Sequence, residues 1–151
     1  MGGVAHRLEF VMKILLPLDG SHYTKRMLSY IAAHDELLGP GHEYLMLTVI
    51  EPIPSYATSF LDRATLEAYD HQQADQVLGP VRAFADQKGW TVRMAQAHGS
   101  PAQVIAEMAE KEKFDLIVMG THGHSSLANV MMGSVTSGVV ARCKVPVLLI
   151  R

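Results

Sequence analysis

The chain has 151 residues, 48% of them apolar and 19% charged, and its 13 Lys plus Arg against 15 Asp plus Glu give a formal charge of -2. That length suffices for one domain with its own core, the composition excludes a disordered chain, and the charge gives no footprint for nucleic acid or an anionic membrane surface. A single cysteine, Cys143, excludes an internal disulfide and a thiolate zinc cluster, and no apolar run approaches the ~18 residues of a membrane span, so a cytoplasmic protein without membrane insertion is expected.

The opening "MGGVAHRLEF" (1–10) is too polar for the apolar centre of a signal peptide and is expected to form a flexible N-terminal extension to one domain over 11–151. The first strand is "VMKILLP" (11–17), which leads into the turn "LDGS". A helix follows over 22–38, its Leu28, Ile31 and Ala32 at helical spacing and Gly39-Pro40 as the stop. The second strand is "EYLMLTVI" (43–50). The segment after it, "EPIPSYATSFLDRA" (51–64), with two prolines, Tyr56 and Phe60, reads either as a lid over a site or as a partner surface. A second helix over 64–88 presents Leu66, Tyr69, Ala74, Val77, Leu78, Val81 and Phe84 inward and stops at Gly89. Pro80 predicts a kink or break near Gly79.

The third strand is "TVRMAQA" (91–97). Ser100, Pro101 and Gln103 supply an N-cap, a first-turn proline and a capping-box partner for a third helix, with Val104, Ile105, Met108 and Ala109 facing the sheet. The fourth strand, "FDLIVMG" (114–120), runs into "GTHGHSSLANVMMGS" (120–134). From Ser134 a fourth helix turns Val135, Val139 and Val140 inward and carries Arg142 and Lys144 near its negative end. The last strand is "VPVLLIR" (145–151). Strands alternating with helices imply parallel pairing, and right-handed crossovers then give an α/β three-layer sandwich: a five-stranded parallel sheet of order 3-2-1-4-5 with four helices.

In such a sheet the ligand crevice opens beyond the carboxyl ends of the strands where the winding reverses, so the loops after the first and fourth strands face one cavity. Gly120 and Gly123 are expected to turn through positive φ and to let the backbone approach a ligand. Gly133-Ser134 opens a helix whose first amides lack partners, an arrangement suited to phosphate, with the Ser134 hydroxyl either on the phosphate or capping the helix. The loop lacks the Gly-Lys-Ser/Thr ending of a Walker A loop and is no dinucleotide fingerprint. Asp19 lacks the paired acids of a response regulator, and neither loop offers an aromatic ring for a flavin.

Gly120, two residues, Gly123, nine residues, then Gly133-Ser134 resembles the nucleotide-binding signature of the universal stress protein family, in its ATP-binding branch. "ILLPLDGS", "LMLTVIEP", "GSPAQVIAEMAEKEKFDLIVMGTHG" and "GSVTSGVVARCKVPVLLIR" resemble further blocks of that family in order, so the likeness covers residues 12–151. The resemblance implies an adenine nucleotide alpha hydrolase-like, Rossmann-like fold. It also implies that Pro17, Leu18 and Asp19 border adenine and ribose and that Val49 lines the adenine pocket. Gly120, Gly123, Gly133 and Ser134 would then hold the phosphates of ATP, with Val135 and Thr136 adjacent. A divalent ion, Mg2+ or Mn2+, would arrive with those phosphates.

Family members often carry a cation between the first two glycines, whereas this chain has Thr121-His122 and no Lys or Arg over residues 120–134. His122 would supply positive charge only when protonated. A metal pair of His122 and His124 lacks an acidic or thiolate partner and is not favoured. No base or charge-stabilising cation accompanies the loop, so a nucleotide-binding regulatory module with at most slow ATP turnover is expected. A slow ATPase or phosphotransferase and a protein-interaction module that binds no nucleotide are the alternatives. The apolar last strand, at a sheet edge, predicts a homodimer through residues 145–150, and the resemblance points the same way.

Overall fold

The computed structural model describes residues 10–123 and 131–151; the extension over residues 1–9 and His124 lie outside the described residues. Five strands, β1 (Lys13–Pro17), β2 (Glu43–Ile50), β3 (Val92–His98), β4 (Leu116–Gly120) and β5 (Val147–Ile150), form one parallel sheet of order β3-β2-β1-β4-β5. The expected fold class and strand order are therefore observed.

Alternation of side chains along the strands splits the core into two layers. Ile14, Leu16, Met46 and Val118 face one side, where Met27 and Ile31 of helix α1 (His22–Ala33) and Leu78, Val81 and Ala85 of helix α4 (Arg63–Lys88) cover them. Leu15, Leu45, Leu47, Ile117 and Met119 face the other, under Ile105 and Ala109 of α5 (Pro101–Lys111) and Val139 of α6 (Ser134–Arg142). Each of these large side chains contributes about 1.5–3 kcal/mol on burial. The helices α5 and α6 approach closely because Gly138 has no side chain: a β-carbon there would lie 2.6 Å from Cβ of Ala102.

Several local expectations are corrected. Six helices are described rather than four, because the segment 22–38 is divided at His34 into α1 and a short α2 (Asp35–Leu38), and because Ser55–Thr58 forms the short α3 within the loop after β2. At His34 the ring Nδ1 bonds the Tyr30 carbonyl at 2.8 Å while its backbone amide donates instead to Ile31 O at 3.2 Å, so the α-helical ladder ends there. Across Gly79 and Pro80 α4 shows no break: both residues are exposed, as is Gln76, whose carbonyl the proline leaves without its intrahelical donor. The capping box at α5 does not form. Ser100 makes no side-chain cap bond, and Gln103 Nε2 donates to Glu107 one turn on, at 2.8 Å. Val140 points outward at 47% exposure, and Thr136 takes the inward position beside Val139.

Candidate functional site

The turn after β1 brings Asp19 under α1. Gly20 adopts φ 77, which reverses the chain, and Asp19 Oδ1 accepts hydrogen bonds from the Ser21 amide at 2.9 Å and the Thr24 hydroxyl at 3.1 Å. Leu18 N donates to Leu47 O at 2.8 Å, which locks this turn to the neighbouring strand. The loop after β4 meets it from the other side of the switch point. Gly120 packs on Tyr23, whose Cβ would stand 2.8 Å from a β-carbon at that position, and Gly123 packs on the Asp19 carboxylate.

Neither Gly120 nor Gly123 has the positive φ expected of it. Glycine is required at these positions by crowding instead: a side chain at either would collide with α1 or with the β1 turn. Gly133 is the third point of close approach, where a β-carbon would lie 3.3 Å from Cα of His122.

Helix α6 starts directly after it. Gly133, with φ -68 and ψ 164, is the N-cap, and no side chain caps the helix, so Ser134 occupies the first helical position and the capping use of its hydroxyl does not arise. The Gly133 amide is committed to Thr121 O at 2.7 Å. The amides of Ser134, Val135 and Thr136 are the ones the helix ladder leaves without an intrahelical partner, at its positive end. The buried Thr136 hydroxyl donates to Gly120 O at 2.9 Å and pins the helix start to the end of β4.

These loops enclose a cavity of about 540 Å³, within the usual size of a small-molecule site. Its wall contains the residues assigned to the nucleotide site from the sequence: Pro17, Leu18 and Asp19 from the β1 end, Val49 from β2, Gly120, His122 and Gly123 from the β4 loop, and Gly133, Ser134, Val135 and Thr136 from the start of α6. Asp19 and Ser134 thus face one hollow. His122 Nδ1 lies 3.0 Å from the Thr121 hydroxyl, and its ring lies 5.2 Å from that of Tyr23.

Glu51 and Ile53 enter the wall from the segment 51–64, which the sequence offered either as a lid or as a partner surface. The sequence reading missed a further part: Tyr23 and Thr24 from α1 and Gln73 from α4, along with Tyr69 and Val77, which had been assigned to the helix's core stripe. Their signal is a length mismatch. The 26 residues of α4 extend about 39 Å and the 8 residues of β2 about 26 Å, so helix must overhang sheet. The overhanging end is the N-terminal one, above the carboxyl edge of β2, and Tyr69 there is 43% exposed while Ala74 and Leu78 further along are buried.

Among the described residues no cluster of three or more His, Cys, Asp or Glu is placed to hold a metal, and no helix is long and apolar enough to cross a membrane.

The profile of the universal stress protein family matches residues 11–151. A universal stress protein of Thermus aquaticus is 34% identical over 139 residues, 91% of this chain and 97% of its own. The solved structure of MJ0577, a universal stress protein of Methanocaldococcus jannaschii, superposes with a TM-score of 0.73 at 25% identity over 92% of this chain and 94% of that one. Two further solved members share the fold and carry adenine nucleotides. One, from Arabidopsis thaliana with AMP bound, has a TM-score of 0.67 at 17% identity over 92% of this chain and 90% of that one. The other, in complex with cAMP, has a TM-score of 0.61 at 23% identity over 93% of this chain and 96% of its own. With its sheet order, its glycine-spaced β4 loop and a family match across nearly its whole length, the chain belongs to the universal stress protein family.

Proposed function

We propose that this chain is a nucleotide-dependent regulatory module of the stress response, of the ATP-binding branch of its family, which binds ATP in the cavity between the β1 and β4 loops. The observation that carries the reading is the meeting of Gly123, Gly133 and the unpaired amides at the start of α6 in one 540 Å³ hollow with Pro17, Leu18 and Val49. The adenine nucleotides held by related proteins support the same assignment.

In this reading the base lies against Val49 and the Pro17–Asp19 turn, and the phosphates sit on the backbone of Gly120, Gly123 and Ser134–Thr136. The fit rests on two features of the chain: a cradle where a β-carbon would collide at Gly120 and Gly123 and would be crowded at Gly133, and a helix N-terminus with amides to give. Bound phosphates would bring Mg2+ or Mn2+ with them. The chain itself contributes binding, orientation and exclusion of water.

ATP turnover is at most slow in this account. Asp19, at the nucleoside end of the cavity, already accepts from Ser21 and Thr24, so its carboxylate is not placed to activate water at a terminal phosphate. A turnover assay on purified protein tests this: multiple turnovers per second, abolished in Gly133→Val, would make the protein an enzyme. Absence of any saturable ATP binding would favour the pure protein-interaction reading.

A homodimer through residues 145–150 belongs to the same proposal. Among the described residues β5 pairs only with β4 and its outer edge has no strand beside it, and Val147, Leu148 and Leu149 stay partly exposed. Sedimentation at twice the chain mass, reduced to the chain mass by Leu149→Pro, is the expected result. The cytoplasm is the proposed location.

A further inference from the structure

The cavity poses an electrostatic problem for a polyphosphate. Its described wall holds two carboxylates, Asp19 and Glu51, and one imidazole, His122, and residues 120–134 contain no Lys or Arg. The amides at the start of α6 offer about half a positive charge, which suits one phosphate better than three.

A second hollow of about 270 Å³ adjoins the first. Tyr23 and His122 line both, and their rings lie 5.2 Å apart where the two hollows meet. Beside them stand Arg26 and Arg151, the latter bearing the α-carboxylate of the last residue of the sequence, and no Asp or Glu side chain is found among the described residues that line this side. Arg26 lies one helical turn after Tyr23 on α1 and faces the same way. Arg151 follows Ile150, whose carbonyl accepts the Thr121 amide at 3.0 Å, so the end of β5 is fastened beside the β4 loop. Neither guanidinium forms an ion pair with a described residue. Two always-charged forks open to solvent in one hollow match the oxygens of a phosphoryl group.

We propose that the distal phosphates of a bound nucleoside polyphosphate pass the Tyr23–His122 pair and are held by Arg26 and Arg151, which replace the cation missing from the glycine loop. The inference rests on the adenine-nucleotide reading of the first cavity and adds to it a discrimination by phosphate number: triphosphate over monophosphate.

ATP and AMP titrations by calorimetry, on the full chain and on R26Q/R151Q and R26K/R151K, test it. Both arginines are exposed, so the fold should survive either change. The expected result is that the Gln pair weakens ATP about tenfold and leaves AMP within about twofold, while the Lys pair retains most of the ATP affinity. ATP binding that also loses its steep dependence on salt in the Gln pair supports the same conclusion. Unchanged ATP affinity in the Gln pair, or equal weakening of ATP and AMP, overturns the inference while the nucleotide site itself stands. If the unaltered protein binds neither nucleotide, the site reading falls and this inference with it.

Discussion

The carboxylate of Asp19, on the turn after β1, rests against Gly123, on the loop after β4, so closely that a β-carbon at Gly123 would overlap Oδ2. The contact joins the two halves of the crevice at the point where the sheet reverses its winding. Because Asp19 also holds Ser21 and Thr24, any displacement of its side chain is passed to the start of α1.

Gly123→Ala therefore drives the two loops apart. ATP affinity is expected to fall at least about tenfold, equivalent to ~1.4 kcal/mol. Global stability should change by less than about 1 kcal/mol, because both loops lie at the surface. Titration calorimetry beside chemical denaturation separates the two effects.

Thr136→Val keeps the shape of a buried side chain and removes its hydroxyl, which leaves Gly120 O without its donor at the base of the phosphate cradle. A loss of about 1–3 kcal/mol of stability is expected from a buried carbonyl left unpaired. Urea denaturation measures it, and the change should weaken ATP as well.

His122 lies in the wall that the phosphates are proposed to share. His122→Gln removes that ring and keeps a polar side chain, and ATP affinity is expected to fall about threefold by titration calorimetry at nearly unchanged stability. An ATP affinity unchanged in His122→Gln removes the ring from the account.

Tyr44 tests the far end of the molecule. Its one hydroxyl proton is shared between the carbonyls of Leu38 and Gly39, and its ring stacks on Trp90 with centroids 5.3 Å apart. Burial raises the phenol above its ordinary pKa of 10.0. A folded-state value above the unfolded one contributes stability that is present below pH ~10 and is lost as pH rises further, because the unfolded chain ionises first. Tyr44→Phe should cost about 1–3 kcal/mol at neutral pH, since it takes away the one donor that the Leu38 and Gly39 carbonyls share, and should blunt the alkaline loss. Trp90, the chain's single tryptophan and buried, reports the transition by fluorescence.

The sheet was legible because parallel strands buried on both faces read as unbroken apolar runs: β2 coincides with "EYLMLTVI" and β1 and β4 lie within their predicted runs. Helix interruptions were less so. The break at His34 depends on a ring nitrogen taking the Tyr30 carbonyl, which no periodicity records. In the cavity, the loop residues could be found because glycine spacing and the switch-point rule both act on the chain locally. The α4 contribution could not, since Tyr69 and Val77 sit in a stripe that looks like core until helix and strand lengths are compared. Tyr69→Ala with Gln73→Ala should accordingly reduce ATP affinity several-fold at nearly unchanged stability. A stability loss above about 2 kcal/mol would mark these residues as core instead.

The central claim is that the hollow between the β1 and β4 loops takes an adenine nucleotide, and a crystal structure of the protein grown with ATP tests it most directly. The account predicts the base against Val49 and Pro17–Asp19 and the first phosphate on the amides of Ser134–Thr136. Crystals at saturating ATP in which that hollow holds only water, or in which the nucleotide sits elsewhere on the chain, would contradict it.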